Sequence, residues 1–278
     1  MTSTRERQRA AARARLEREM SERATKARKR RQTQAIVGAA AVLVLVVAGT
    51  VWLVTSLGDD DKQNTANAAG YAQCAYTELP TEGRPQQIKD VGLPPSQQDN
   101  KGSQTMTIDT NLGPITAKIN RDQVPCTAGS FTHLASKGFF DNTKCHRLVT
   151  QGIQVLQCGD PSATGKGWRD TDGTGGPSYN LAEENLPTDK RPPYPEGVIA
   201  MANSGQPGST GSQFFIVYGD SQLDPNYTVL GTITGGMDLV RQIGAAGDDG
   251  AFAEQAGGGH PKKEVVINKL TMSDIQGG

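Results

Sequence analysis

The sequence carries no net charge: 29 Lys and Arg offset 29 Asp and Glu over 278 residues. Overall electrostatics therefore select no class of partner. There are only three histidines and four cysteines. No CxxC pair occurs, and His133 and His260 are isolated, so the spacing of a metal-ligand set is missing. No internal repeat is evident, which sets aside repeat arrays. What remains is a chain 35% apolar with 33 Gly and 15 Pro. That composition fits one globular domain with appendages better than two large domains.

The zero net charge hides an asymmetry. Residues 1–31 hold twelve Lys or Arg against four Glu. Ala35 to Leu57 then forms a run of 23 uncharged residues, followed by Asp59, Asp60 and Asp61. As a helix this run is about 34 Å long, enough to cross a hydrocarbon core of about 30 Å. The apolar part of a cleaved signal peptide is shorter, about 7–15 residues. The reading is a transmembrane helix over 35–57 with a basic cytoplasmic tail over 1–34, since positive charge stays inside. The chain is then expected to be a single-pass protein of the cell membrane, its large C-terminal part extracytoplasmic. The basic tail orients the anchor and meets anionic lipid, and nothing specific supports nucleic-acid binding. All four cysteines, Cys74, Cys126, Cys145 and Cys158, lie beyond the run. An even number on an oxidising side suggests disulfides, with three possible connectivities; four buried thiols are the alternative.

Residues 58–104 are polar and read as a linker, with Cys74, Tyr76 and Pro80 as candidates for docking it onto a domain at 105–278. Thr105–Thr110 and Pro114–Asn120 alternate about Asn111-Leu112-Gly113, a hairpin. Val124-Pro125 opens a helix running to Ser136 and ending at Gly138, with Phe131 and Leu134 inward. A second helix is expected over Met237–Ala245 and a last strand over Val265–Met272. Many short strands with two helices suit a closed antiparallel barrel, capped at its ends.

The most informative stretch is Gly197 to Tyr218, two apolar strands about a turn-rich loop. In the second strand Gln213, Phe215 and Val217 face one way, and Phe214, Ile216 and Tyr218 the other. One face thus carries an amide beside an aromatic ring, while Arg147 offers a cation at the start of another strand. An amide, a ring and an arginine suit an apolar amide substrate and need no nucleophile.

The ordered set VPCTAGSF, GFFDNTKCHRL, VLQCGD, GTGGPSY, MANS, GSQFF and YTVLG resembles the cyclophilin family of peptidyl-prolyl cis/trans isomerases, in a bacterial membrane-anchored form. The likeness runs from Thr105 to Ser273, about 60% of the chain. It implies a mainly β fold, a closed eight-stranded antiparallel barrel capped by two helices. The implied catalytic set is Arg147, Gln157 and His146. Arg147 would donate to the prolyl nitrogen, Gln157 would orient Arg147, and His146 would line the cleft. The implied substrate-binding set is Val155, Ala202, Asn203, Ser204, Gln213, Phe215, Leu223, Tyr227 and Gly173. Within it Asn203 pairs with peptide backbone, and Gln213 and Phe215 form wall and floor of the proline pocket. The resemblance implies no cofactor and no metal, and proline-containing segments of unfolded or extracytoplasmic proteins as partners. It also favours Cys145–Cys158 as one disulfide, with Cys74–Cys126 as the other. A proline-peptide-binding module with little catalysis is the second reading.

The chain departs from the family pattern in places. Between His146 and Asp160 it is two residues longer, and Gln154 and Val155 stand where the family has Phe and Met. Val155, with Ile153, is the better candidate for rebuilding that wall. Gln222 replaces an aromatic residue important for cyclosporin, so weak cyclosporin binding is expected. Tyr227 replaces a cleft histidine. Two insertions, Ser162–Asp172 beside the cleft with Trp168 and Arg169, and Leu186–Gly197 with four prolines, read as tolerated surface loops, the alternative being that either alters substrate choice.

Overall fold

The structure is a computed structural model and describes residues 70–277, except Arg84, Asp220 and Gln255. The basic tail and the apolar run at 35–57 lie outside the described residues. Among the described residues no helix is long and apolar enough to cross a membrane.

Part of the segment read as linker is built into the fold. From Gly70 onward it forms β1 (Tyr71–Gln73), β2 (Tyr76–Glu78), β3 (Ile88–Lys89) and β4 (Gln97–Asp99). β1 and β4 pair with each other. A disulfide joins Cys74 to Cys126, and the Tyr76 hydroxyl donates to the Cys126 carbonyl at 2.9 Å. These strands are two or three residues long and largely exposed. They are held by backbone pairing and a covalent tie, which hydrophobic periodicity cannot reveal.

The expected hairpin follows as β5 (Ser103–Thr110) and β6 (Gly113–Asn120). Its alternation buries Met106, Ile108, Ile115, Ala117 and Ile119. Helix α1 (Pro125–Ser136) starts with proline in its first turn, where a missing N–H costs nothing. Its first amides are capped from a distance: the Glu184 carboxylate accepts from Cys126 N at 3.1 Å and Thr127 N at 2.7 Å. It ends before Gly138, whose φ of +59° suits glycine.

The remaining elements are β7 (Thr143–Lys144), β8 (Arg147–Val149), β9 (Val155–Cys158), β10 (Gly176–Pro177), β11 (Tyr179–Leu181), β12 (Val198–Met201), β13 (Phe214–Val217), β14 (Val229–Gly235), α2 (Met237–Ala246) and β15 (Val266–Met272). One antiparallel sheet runs β7-β15-β5-β6-β14-β12-β13-β9-β8. It is a half-barrel of nine strands where a closed barrel of eight was expected, because the strand through Cys145-His146-Arg147 is interrupted: β7 and β8, the two ends of the order, are separated in the chain by only Cys145 and His146. The Cys145 amide still bonds the Val265 carbonyl at 3.0 Å, in register with the β7–β15 pairing, whereas Arg147 pairs with β9, and Cys145 is joined to Cys158.

β12 and β13 are buried throughout, and their alternating side chains feed two cores. Ile199, Met201, Phe214 and Ile216 join the main core with Phe131, Phe140 and Tyr179. Val198, Ala200, Phe215 and Val217 join a smaller cluster with Val149, Val155 and Tyr194, beside the site.

Candidate active site

Strand register assembles the site. Arg147 on β8 lies opposite Gln157 on β9, and Gln157 lies opposite Phe215 on β13. Three chemically distinct side chains thus form one row across three strands. A cavity of about 390 Å³ opens over them. Ile153, Val155, Leu223 and Tyr227 supply its apolar wall, and Ala202, Asn203 and Ala256 its rim. The Phe215 ring meets Tyr227 edge-on at 5.5 Å.

A chain of hydrogen bonds leads away from Arg147. Nη1 donates to Gln157 Oε1 at 3.1 Å, Gln157 Nε2 to Gln213 Oε1 at 2.9 Å, and Gln213 Nε2 to the carbonyls of Gly173 and Gly175 at 2.8 and 2.9 Å. Guanidinium has no acceptor, so it dictates the orientation of Gln157 and, through it, of Gln213. The chain closes on Asp160, fully buried, whose carboxylate accepts from the amides of Gly173 and Gly175 at 2.5 and 3.2 Å.

The other side of Arg147 is held by backbone. Nε donates to the Gly257 carbonyl at 3.1 Å, and Nη2 to the carbonyl of Ala256. Three of the five N–H groups are thus placed by described residues. Burial lowers the Arg147 pKa, opposed by nearby Tyr227, yet a guanidinium stays charged. The loop supplying these carbonyls is closed by Asp249. Its carboxylate accepts from the His260 amide at 2.8 Å and the Ala251 amide at 3.0 Å, and pairs with His260 Nδ1 at 2.8 Å. Gly258 and Gly259 bring the loop against Leu148; a Cβ on Gly258 would lie 2.1 Å from the Leu148 carbonyl oxygen.

Of the residues expected here, Arg147, Val155, Gln157, Ala202, Asn203, Phe215, Leu223 and Tyr227 border this cavity. Gly173, Ser204 and Gln213 border a second cavity of about 300 Å³, which shares Gln157, Ala202 and Asn203 with the first. His146 borders neither, contrary to expectation. It is only 2% exposed, and both ring nitrogens lack a partner among the described residues. Gly173, with φ of +94°, packs on it so closely that a Cβ there would be 3.0 Å from the ring. Burial holds the imidazole pKa down to about 4, against the opposing pull of Asp160 and Asp172. His146 is thus a neutral filler beneath the Gly173 loop.

Neither insertion is a plain surface loop. Tyr194, from the proline-rich one, is fully buried. Its ring lies 6.2 Å from Phe215, and its hydroxyl donates to the Tyr227 carbonyl at 2.9 Å. Trp168, from the other, stacks on His260 at 4.4 Å. Both contacts are long-range, and only the aromatic identities hinted at them.

A family model described as cyclophilin type peptidyl-prolyl cis-trans isomerase matches residues 105–272. The chain belongs to the cyclophilin family. Among curated relatives, this cyclophilin is 46% identical over 175 residues to a probable peptidyl-prolyl cis-trans isomerase B of Mycobacterium leprae, covering 59% of the chain and 55% of the relative. It is 38% identical over 214 residues to a protein of the same description in Mycobacterium tuberculosis, covering 72% and 64%. The chain therefore spans less than two thirds of either relative. Among solved structures it is similar to a cyclophilin type peptidyl-prolyl cis-trans isomerase of Cryptosporidium parvum, with TM-score 0.51 and 25% identity, covering 63% of the chain and 99% of that structure.

Proposed function

We propose that this cyclophilin catalyses cis/trans isomerisation of prolyl peptide bonds by non-covalent stabilisation of the twisted amide. The observation that carries the reading is the row Arg147–Gln157–Phe215 lining one cavity. Rotation about a prolyl bond faces a barrier of about 18–20 kcal/mol because resonance must be broken. In the twisted state the prolyl nitrogen regains its lone pair and becomes an acceptor. A guanidinium held on three sides, with further N–H groups to offer, donates to that nitrogen with little reorganisation. Phe215 and the apolar wall receive the pyrrolidine ring and keep water from the amide. Asn203 presents backbone to the peptide, its own side chain being tied to the Asn226 carbonyl at 2.9 Å. Lowering the barrier by about 7 kcal/mol corresponds to about 10⁵-fold acceleration. Rotation of the amide transfers no proton, so none is asked of His146, which is buried and neutral.

The setting belongs to the same proposal. The uncharged run at 35–57 would anchor the chain in the cell membrane, and two disulfides suit an extracytoplasmic domain acting on folding proteins. A binding module of the same fold is the second reading, favoured by the rebuilt wall at Ile153 and Val155. A protease-coupled proline peptide assay on residues 65–278, one compact unit, separates the two. Acceleration above the uncatalysed rate is expected. Peptide binding without acceleration would leave only the module.

A further inference from the structure

The insertion Ser162–Asp172 borders neither cavity, yet it closes a circuit of contacts around Arg147. We infer that Trp168 is a positioning residue for the isomerase reaction: through His260 and Phe252 it fixes the loop whose carbonyls aim the Arg147 guanidinium. The inference rests on the reading of Arg147 as donor to the prolyl nitrogen. It adds that the insertion supports the reaction without touching substrate.

The circuit starts on the segment that carries Arg147. Lys144, just upstream on β7, is only 1% exposed. Its amide donates to the Ala163 carbonyl at 2.7 Å. Its ammonium donates to the Gly167 carbonyl and lies 4.1 Å from the centre of the Trp168 ring. A cation withdrawn from water over an aromatic face is attracted more strongly than an exposed one. The far end of the insertion is pinned by Arg169, which pairs with Asp172 at 2.9 Å and donates to the Ser162 carbonyl. Trp168 thus sits on a loop tied at both ends.

From there the contacts pass to the loop that holds Arg147. The Trp168 ring stacks on His260 at 4.4 Å with 11° between the planes, and Phe252 meets the same imidazole edge-on at 4.8 Å. His260 Nδ1 pairs with Asp249, but that carboxylate is 42% exposed, so water competes for the bond. His260 Nε2 has no partner among the described residues. Stacking is therefore what holds the face of the ring in place. Phe252 in turn carries the tip of the loop: its amide donates to the Gly258 carbonyl at 2.9 Å, and its carbonyl accepts from the Gly257 amide at 2.8 Å. The Gly257 carbonyl accepts from Arg147 Nε at 3.1 Å, which closes the circuit. Removing the Trp168 ring lets His260 and Phe252 shift, and the Gly257 carbonyl with them. The mutual backbone bonds of Leu148 and Gly259, at 2.8 and 3.0 Å, still anchor the base of the loop. Loss of Trp168 therefore loosens the aim of Arg147 without unfolding the domain. Loss of one stacked pair, felt wholly in that aim, corresponds to about threefold to tenfold in rate.

The test uses the full chain and two readouts. The first is kcat and KM for a proline peptide, by exchange NMR, in wild type, Trp168→Ala and Trp168→Phe, each also in an Arg147→Ala background. The second is the rate at which the Arg147 Nε–H exchanges with water, its resonance identified by its loss in Arg147→Lys. Trp168→Ala should lower kcat about threefold to tenfold with KM little changed, and add no loss in the Arg147→Ala background. Trp168→Phe keeps a ring for His260 and should recover most of the activity. The Arg147 Nε–H should exchange about threefold faster or more in Trp168→Ala, while the amides of β5 and β6 keep their wild-type rates. Phe252→Ala, which breaks the circuit at its next link, should reproduce both effects. Unchanged kcat, unchanged Nε–H exchange, or the same loss repeated in the Arg147→Ala background each overturns the inference and leaves the isomerase reading standing. Failure of the wild type to accelerate the peptide overturns both.

Discussion

His146 offers a quantitative check on the site's architecture, because the fold denies it both solvent and partners. In the unfolded chain its imidazole takes up a proton near pH 6.5, whereas in the folded protein burial delays this to about pH 4. Between those values the unfolded state binds more protons, so stability rises with pH there and is lost on acidification. At pH 4.5 the loss from this one group is about 2–3 kcal/mol relative to pH 7.5. Carboxylates also contribute to acid sensitivity, so the comparison is with His146→Leu, which keeps an apolar side chain in the space. Urea unfolding at the two pH values should show the wild type losing about 2–3 kcal/mol more than the variant. Equal losses would mean that His146 is not held neutral beneath the Gly173 loop. The same geometry leaves Arg147 as the charge of the row, so kcat/KM should be level between pH 6 and 8.

Other consequences follow from the same contacts. Replacing Cys74 and Cys126 together by serine opens a link across a sequence separation of 52 and should cost about 4 kcal/mol in denaturant unfolding. Asp249→Ala removes the acceptor that closes the loop on Arg147. It should lower kcat about tenfold with KM little changed, and add no loss in an Arg147→Ala background, as expected of coupled residues. Cyclosporin should inhibit only weakly in a peptide assay: Gln222 is exposed and contributes nothing to the cavity wall. Tight inhibition would show that the wall binds the drug without an aromatic residue there.

The parts legible from sequence are those set by local pattern. Pro125 and Gly138 bracket α1, and alternation marks β5, β6 and β13, because each depends on neighbours a few residues away. The motifs also brought Arg147, Gln157 and Phe215 forward together, since their flanking residues were informative. What the residues did not announce is long-range. The carbonyls of Ala256 and Gly257 act through backbone, which has no residue signature. Tyr194 sits in an insertion whose prolines suggested exposure. Strands β1 to β4 are too short and polar to alternate. The resemblance placed His146 in the cleft, yet it sits just before β8, buried beneath the Gly173 loop and bordering neither cavity.

The central claim is that Arg147, held by Gln157 and the Ala256–Gly257 carbonyls, supplies the hydrogen bond that stabilises the twisted prolyl amide. Exchange NMR on a proline peptide with wild type, Arg147→Ala and Arg147→Lys tests it most directly. Loss of one preorganised donor to a transition state costs about 10²–10³ in rate. The account predicts that Arg147→Ala falls by this factor while the peptide still binds, and that lysine, lacking the fork, restores little of it. Full activity in Arg147→Ala would contradict the account.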